Sequence, residues 1–138
     1  MADSSFAGRT ALIIGATAGI GRATAIAFGK AGANVVVAGL GADDGKAVEG
    51  EIKGLGRADA LCVPADVTRE ADVRSAVHRA EARFGRIHAA VNNAGIECKY
   101  GPVQDRTAEE FDRIMAVNLR GVFFGLKHQI PHMLKHGG

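Results

Sequence analysis

The chain has 138 residues, 47% of them hydrophobic, with 17 basic and 15 acidic side chains and a formal charge of +2. That length supports one hydrophobic core and excludes two ordinary domains, so a single unit over residues 1–138 is expected. The near-balanced charge gives no field of either sign, which argues against nucleic acid or an acidic membrane surface as partner and leaves small ligands as the expectation.

The opening MADSSFAGRT has no basic stretch followed by an apolar one, and no apolar run is long enough to cross a bilayer; a cytosolic protein is expected. Ala11–Ile14 reads as a first buried strand. After Gly21 a small-residue helix runs through Ala31 to Gly32, and the β-branched Val35–Val37 forms a second strand. A helix from about Asp43 to Leu55 carries Val48, Ile52 and Leu55 on one stripe and leads to a third strand, about Ala58 to Val63, ended by Pro64. Thr68 is placed to cap a helix bearing Val73, Ala76, Val77, Ala80 and Phe84, which Gly85 stops. A fourth strand follows at about Ile87 to Val91. Thr107-Ala108-Glu109-Glu110 is a capping box opening a last helix that runs almost to the chain end, with a bend or loosening expected near Lys127 to Pro131.

Strand–helix alternation of this kind makes an α/β fold: a Rossmann-like, doubly wound parallel sheet of about four strands, with helices on both faces. Ligands of such sheets bind beyond the carboxyl ends of the strands. Those ends carry Gly15 to Gly21, Gly39-Leu40, Asp66 and Asn92-Asn93-Ala94-Gly95. Gly15-Ala16-Thr17-Ala18-Gly19-Ile20-Gly21 lets the strand turn sharply and the backbone approach a ligand closely. The following helix aims its free N–H groups and positive dipole end at the same spot, which suits a diphosphate.

G-x-x-x-G-x-G after the first strand, Asp66-Val67-Thr68 after the third, Asn92-Asn93-Ala94-Gly95 after the fourth and Ala116-Val117-Asn118-Leu119 in the last helix are four ordered motifs. Together they resemble the N-terminal half of the short-chain dehydrogenase/reductase family, over essentially the whole chain. The resemblance implies strand order 3-2-1-4. It also implies a nicotinamide dinucleotide, with Gly15, Thr17, Gly19, Ile20 and Gly21 around its diphosphate and ribose, and Asp66 and Val67 at the adenine. Asn93, Ala94 and Gly95 would line the nicotinamide ribose, and Asn92 would tie backbone groups of neighbouring strands. Asn118 would be the helix asparagine that helps hold a water and the family's lysine; read alone, it is a polar side chain completing a helix irregularity.

Two departures bear on the cofactor. Ile14 stands where the family usually has threonine, and Gly39 and Leu40 occupy the end of the second strand, where an Asp for the NAD ribose or an Arg for the NADP phosphate is expected. Ala18 replaces a basic residue common in NADP-preferring relatives, and Arg22 reads equally as a solvated helix residue. With no phosphate clamp, NAD is favoured over NADP. Family members transfer hydride between nicotinamide and an alcohol or carbonyl with a Ser, a Tyr and a Lys, and none has a counterpart here. Tyr100 is the only tyrosine, and Gln104 stands four residues on.

The expectation is therefore an oxidoreductase of this family whose 138 residues are inactive alone; the alternative is a non-enzymatic module that binds a nucleotide or serves assembly. A phospho-acceptor site is discounted, because Gly15 and Ala16 stand where acidic residues are needed. A homo-oligomer is expected through the last helix (111–136), whose Phe123, Phe124, Leu126 and Ile130 should seek a partner, or through an exposed fourth strand (87–91). His128, His132 and His136 recur at helical spacing, but no carboxylate or thiolate joins the stripe, so no metal is expected. Cys62 reads as core and Cys98 as an exposed spectator.

Overall fold

The computed structural model describes residues 4–137. Four parallel strands, β1 (Thr10–Ile14), β2 (Asn34–Gly39), β3 (Ala60–Pro64) and β4 (Ala89–Asn92), form one sheet in the order β3-β2-β1-β4. Ile14 pairs with Ala38 on one side and Asn92 on the other. Every residue of β1 is buried, as a strand covered on both faces requires.

The pleat sorts the core into two layers. Ala11 and Ile13 of β1, with Val35 and Val37, pack against Ala25 and Ile26 of α1 (Gly19–Lys30) and Val48 and Ile52 of α2 (Ala42–Gly54). Leu12 and Ile14, with Val36, pack on the opposite face against Val73, Ala76 and Val77 of α3 (Glu70–Phe84). The last elements are α4 (Ala108–Met115), a π-helical segment (Ala116–Arg120) and α5 (Gly121–Lys135), which packs beside α3. Among the described residues no helix is long and apolar enough to cross a membrane.

Pro64 ends β3 as its last residue: β3 is an edge strand, and the next bond to β2 is donated by the Ala65 N–H to the Gly39 carbonyl (2.9 Å), so proline's missing donor costs nothing. Several expectations shift. The same edge position leaves Cys62 half-buried instead of core. Thr68 does not cap α3; its hydroxyl donates to Asp66 Oδ1 at 2.7 Å, and Arg69 occupies the cap position without a side-chain bond. The fourth strand begins two residues later than read, because the Ile87 N–H is taken by a side chain, His132 Nε2 (3.2 Å), rather than by a strand.

The last helix is interrupted at Ala116–Arg120, well before Pro131, which sits inside an unbroken α5. Phe124, expected to seek a partner, packs against the core.

Candidate functional site

The turn after β1 is built from glycines that do different jobs. Gly15 has φ +86°, and a Cβ on it would lie 2.5 Å from the Ala94 nitrogen. Gly21 begins no turn, yet a Cβ there would meet the Gly15 carbonyl oxygen at 1.8 Å and Asn93 Nδ2 at 2.7 Å. Both are required by packing. Gly19 differs: φ is +55°, but nothing lies within 4 Å of where its Cβ would be. Its left-handed backbone opens onto free space at the first residue of α1.

That helix start has no cap. Ala18 offers no side-chain acceptor, and the first turn contains no acidic residue. The first N–H groups of the helix thus have neither an intrahelical partner nor a capping side chain, and they carry the positive end of the dipole. Ile20, 78% exposed, stands beside them. Gly15 and Ala16 are held from behind, both N–H groups donating to the Ala38 carbonyl (2.8 and 3.0 Å). An anion with several acceptor oxygens fits such a cradle.

The turn meets the ends of the neighbouring strands. Gly39 leaves room for Thr17, whose Cγ2 would be 3.2 Å from a Cβ there, and Leu40 is 68% exposed. Arg22 turns away to pair with Glu51 of α2 at 2.5 Å. After β3, Asp66 Oδ1 accepts from the Thr68 N–H (2.9 Å) and hydroxyl (2.7 Å). These bonds hold its carboxyl below the usual range, so it remains an ionised acceptor. Val67 is buried, packed where a Cβ on Gly121 would meet it at 2.9 Å, so its backbone rather than its side chain is available to a ligand.

After β4 the chain bonds back to the turn. The Asn93 and Ala94 N–H groups both donate to the Ile14 carbonyl (2.8 and 3.0 Å), and Asn93 Nδ2 donates to the Gly15 carbonyl (3.2 Å). Asn93 therefore braces the glycine turn with its side chain. Asn118 sits in the π segment, and its amide grips the Ile96 backbone twice: Oδ1 accepts from the N–H and Nδ2 donates to the carbonyl, each at 2.8 Å. The irregularity presents that side chain sideways to the loop after Gly95. Asn92 departs from expectation, since its amide pairs with Gln129 of α5 in both directions at 2.9 Å and not with strand backbone.

Contrary to expectation, a carboxylate from another helix joins the histidine stripe. Glu81 of α3 faces it, with Oε2 3.6 Å from His132 Nδ1 and Oε1 3.7 Å from His136 Nε2. Yet His132 Nε2 accepts the Ile87 N–H, so the neutral ring carries its proton on Nδ1, toward Glu81, and Lys135 Nζ also holds that carboxylate at 3.0 Å. The group is arranged as a proton-bearing clasp between α3 and α5, away from the glycine turn.

Over residues 9–138 the sequence matches the profile of the short chain dehydrogenase family. The chain belongs to that family. This short-chain dehydrogenase sequence is 40% identical over 130 residues to the D-beta-hydroxybutyrate dehydrogenase of Rhizobium meliloti, covering 94% of this chain and 50% of that protein. It is 38% identical over 133 residues to the levodione reductase of Leifsonia aquatica, covering 96% and 50%. A crystal structure of levodione reductase superposes with a TM-score of 0.92 at 38% identity, covering 96% of this chain and 52% of that one. The 3-ketoacyl-(acyl-carrier-protein) reductase from Brucella melitensis, solved with NADH, superposes at 0.88 with 42% identity, covering 95% and 52%. The short-chain dehydrogenase chain thus spans about half the length of these relatives.

Proposed function

We propose that this chain is the dinucleotide-binding part of an NAD(P)-dependent oxidoreductase, that it prefers NAD, and that these 138 residues alone turn over no substrate. The observation that carries the reading is Gly19: a left-handed backbone with open space before it, at an uncapped helix start, between two glycines packed against protein. The N–H groups from Gly19 to Gly21 and the Thr17 hydroxyl would hold the diphosphate, with Ile20 and Leu40 as apolar flanks. Asp66, one oxygen of which is occupied by Thr68, would accept from the adenine amino group with its other oxygen, and the Val67 backbone would complete that end. Asn93 to Gly95 would shape the nicotinamide ribose end.

When bound, the nicotinamide accepts or gives a hydride. The chain's own residues bind and orient. Tyr100 is fully exposed in the loop after β4 and lacks a lysine partner four residues on, which supports inactivity of the chain alone. A second copy of the chain is proposed to cover the outward face of α4 and α5.

Calorimetric titration with NAD, NADP and AMP tests the reading. NAD and AMP should bind, NADP more weakly, and Gly19→Val should abolish NAD binding while the fold persists. No binding of any nucleotide by the native chain would leave the assembly-module alternative in its place, and NAD-linked turnover by purified chain would overturn the inactivity.

A further inference from the structure

We propose that Gln129 is a positioning residue for the nicotinamide end of this site, acting through Asn92. The inference rests on the dinucleotide reading. Gln129 is 2% exposed, on a helix whose large apolar side chains mostly point outward. Its amide and that of Asn92 form a closed ring of two 2.9 Å hydrogen bonds, so donor and acceptor are satisfied on both sides. One helical turn earlier Gly125 provides the space: a Cβ there would lie 2.2 Å from Asn92 Oδ1. Gly125 and Gln129 together are a socket that admits one orientation of the Asn92 amide.

Asn92 is the last residue of β4, and the chain turns immediately after it. The Asn93 and Ala94 N–H groups converge on a single acceptor, the Ile14 carbonyl, and Ala94 lies against Gly15. Among the described residues β4 is hydrogen-bonded to β1. Asn92 points to the sheet face that Leu12, Ile14 and Ala90 share, and on that face the amide pair with α5 is its directional restraint. An apolar contact would fill the same space but would not fix direction, since packing contacts are non-directional and hydrogen bonds are not.

The test separates position from stability. Gln129→Met leaves the half-buried Asn92 amide without its partner and lowers the melting temperature. The shape-matched double variant Asn92→Leu/Gln129→Met removes both polar groups and recovers most of that loss. In the double variant the proposal expects exchange of the Asn93 and Ala94 amide protons about tenfold faster than native, with the β2 amides unchanged. It also expects NAD binding about tenfold weaker, the scale of one hydrogen bond, at unaltered AMP affinity. If exchange and NAD affinity return with the melting temperature, the pair only fills space and the proposal is overturned. If the exchange pattern appears but the native chain binds neither NAD nor AMP, Gln129 still positions the segment and it is the dinucleotide reading that falls.

Discussion

Gly15 and Ala94 meet backbone to backbone: a Cβ on Gly15 would stand 2.5 Å from the Ala94 nitrogen and 2.6 Å from its Cα. This contact joins the turn after β1 to the segment after β4. It makes the glycine motif and the Asn-Asn-Ala-Gly motif one object, in which each sets how close the other can come.

Gly15→Ala should therefore damage the fold itself. The left-handed backbone at φ +86° costs a β-carbon about 1–2 kcal/mol, and the clash adds roughly 1–3 kcal/mol because backbone must move. A fall in melting temperature on the order of 10 °C is expected by calorimetry. Gly19→Ala should behave oppositely, losing only the backbone share, about 1 kcal/mol, while weakening NAD about tenfold because its β-carbon enters the ligand space. Equal losses of stability in the two variants would refute this division of labour.

The strands and the glycine turn were legible because their signals are local: β-branched runs such as Val35–Val37, and glycines at fixed spacing. What was not legible depends on partners far away in sequence. Proline's missing donor predicts a break near Pro131, whereas the irregularity lies at Ala116–Arg120, where Asn118 reaches the Ile96 backbone, a partner 22 residues away. The partner of Asn92 was hidden for a related reason. The buried residues of α5 are Gly121, Gly125, Gln129 and His132, small or polar, while Phe123, Leu126 and Ile130 face outward as expected, so hydrophobic periodicity marks the outward stripe and carries no signal for the buried one. The spacing of Gly121, Gly125 and Gln129 was the available signal.

The cofactor preference should be movable at the end of β2. Leu40 is largely exposed and follows Gly39, so Leu40→Arg offers a guanidinium without disturbing the core. A charge-assisted bond to a ribose 2′-phosphate contributes about 1.5–3 kcal/mol, so NADP should bind roughly ten- to a hundredfold tighter with NAD nearly unchanged. Gly39→Asp should favour NAD instead, with Thr17 yielding slightly, since its Cγ2 lies 3.2 Å from the new Cβ. Fluorescence titration with both reduced cofactors reads the ratio; an unchanged ratio in both variants would place the adenosine ribose elsewhere.

Acid should loosen the amino end of the sheet before Glu70 and Glu81 titrate. His88 Nδ1 accepts the Thr10 N–H at 3.0 Å and His132 Nε2 accepts the Ile87 N–H at 3.2 Å, so both rings must stay neutral to accept. Burial lowers both pKa values; Arg86 and Arg9 add to this at His88, whereas Glu81 partly opposes it at His132. The unfolded chain then binds these protons more readily than the folded one. Stability is complete above the unfolded value of about 6.5 and falls as pH drops through it toward the lower folded values. The carboxylates of Glu70 and Glu81, held below about 4.5 by Lys127 and Lys135 in the first place, act only in more acidic solution. His88→Asn and His132→Gln, which retain an acceptor at the same ring position, should flatten the urea-unfolding free energy between about pH 6.5 and pH 5. A slope in that window unchanged in the double variant would assign it to other groups.

The outward stripe of α4 and α5 predicts the assembly state. Phe111, Leu119, Phe123, Leu126, Ile130 and Leu134 are all exposed on one run of helix, a larger apolar display than a lone chain usually keeps in water. Covering a Phe or Leu side chain is worth about 1.5–3 kcal/mol, so a few such pairs across a two-fold axis outweigh much of the entropy lost on association. The native chain should run as a dimer or larger species in light scattering at micromolar concentration. Phe123→Glu with Leu126→Lys should give a monomer whose melting is little changed when measured at high dilution, because neither side chain belongs to the core. A monodisperse native monomer under the same conditions would mean that this stripe is covered by something other than a second copy.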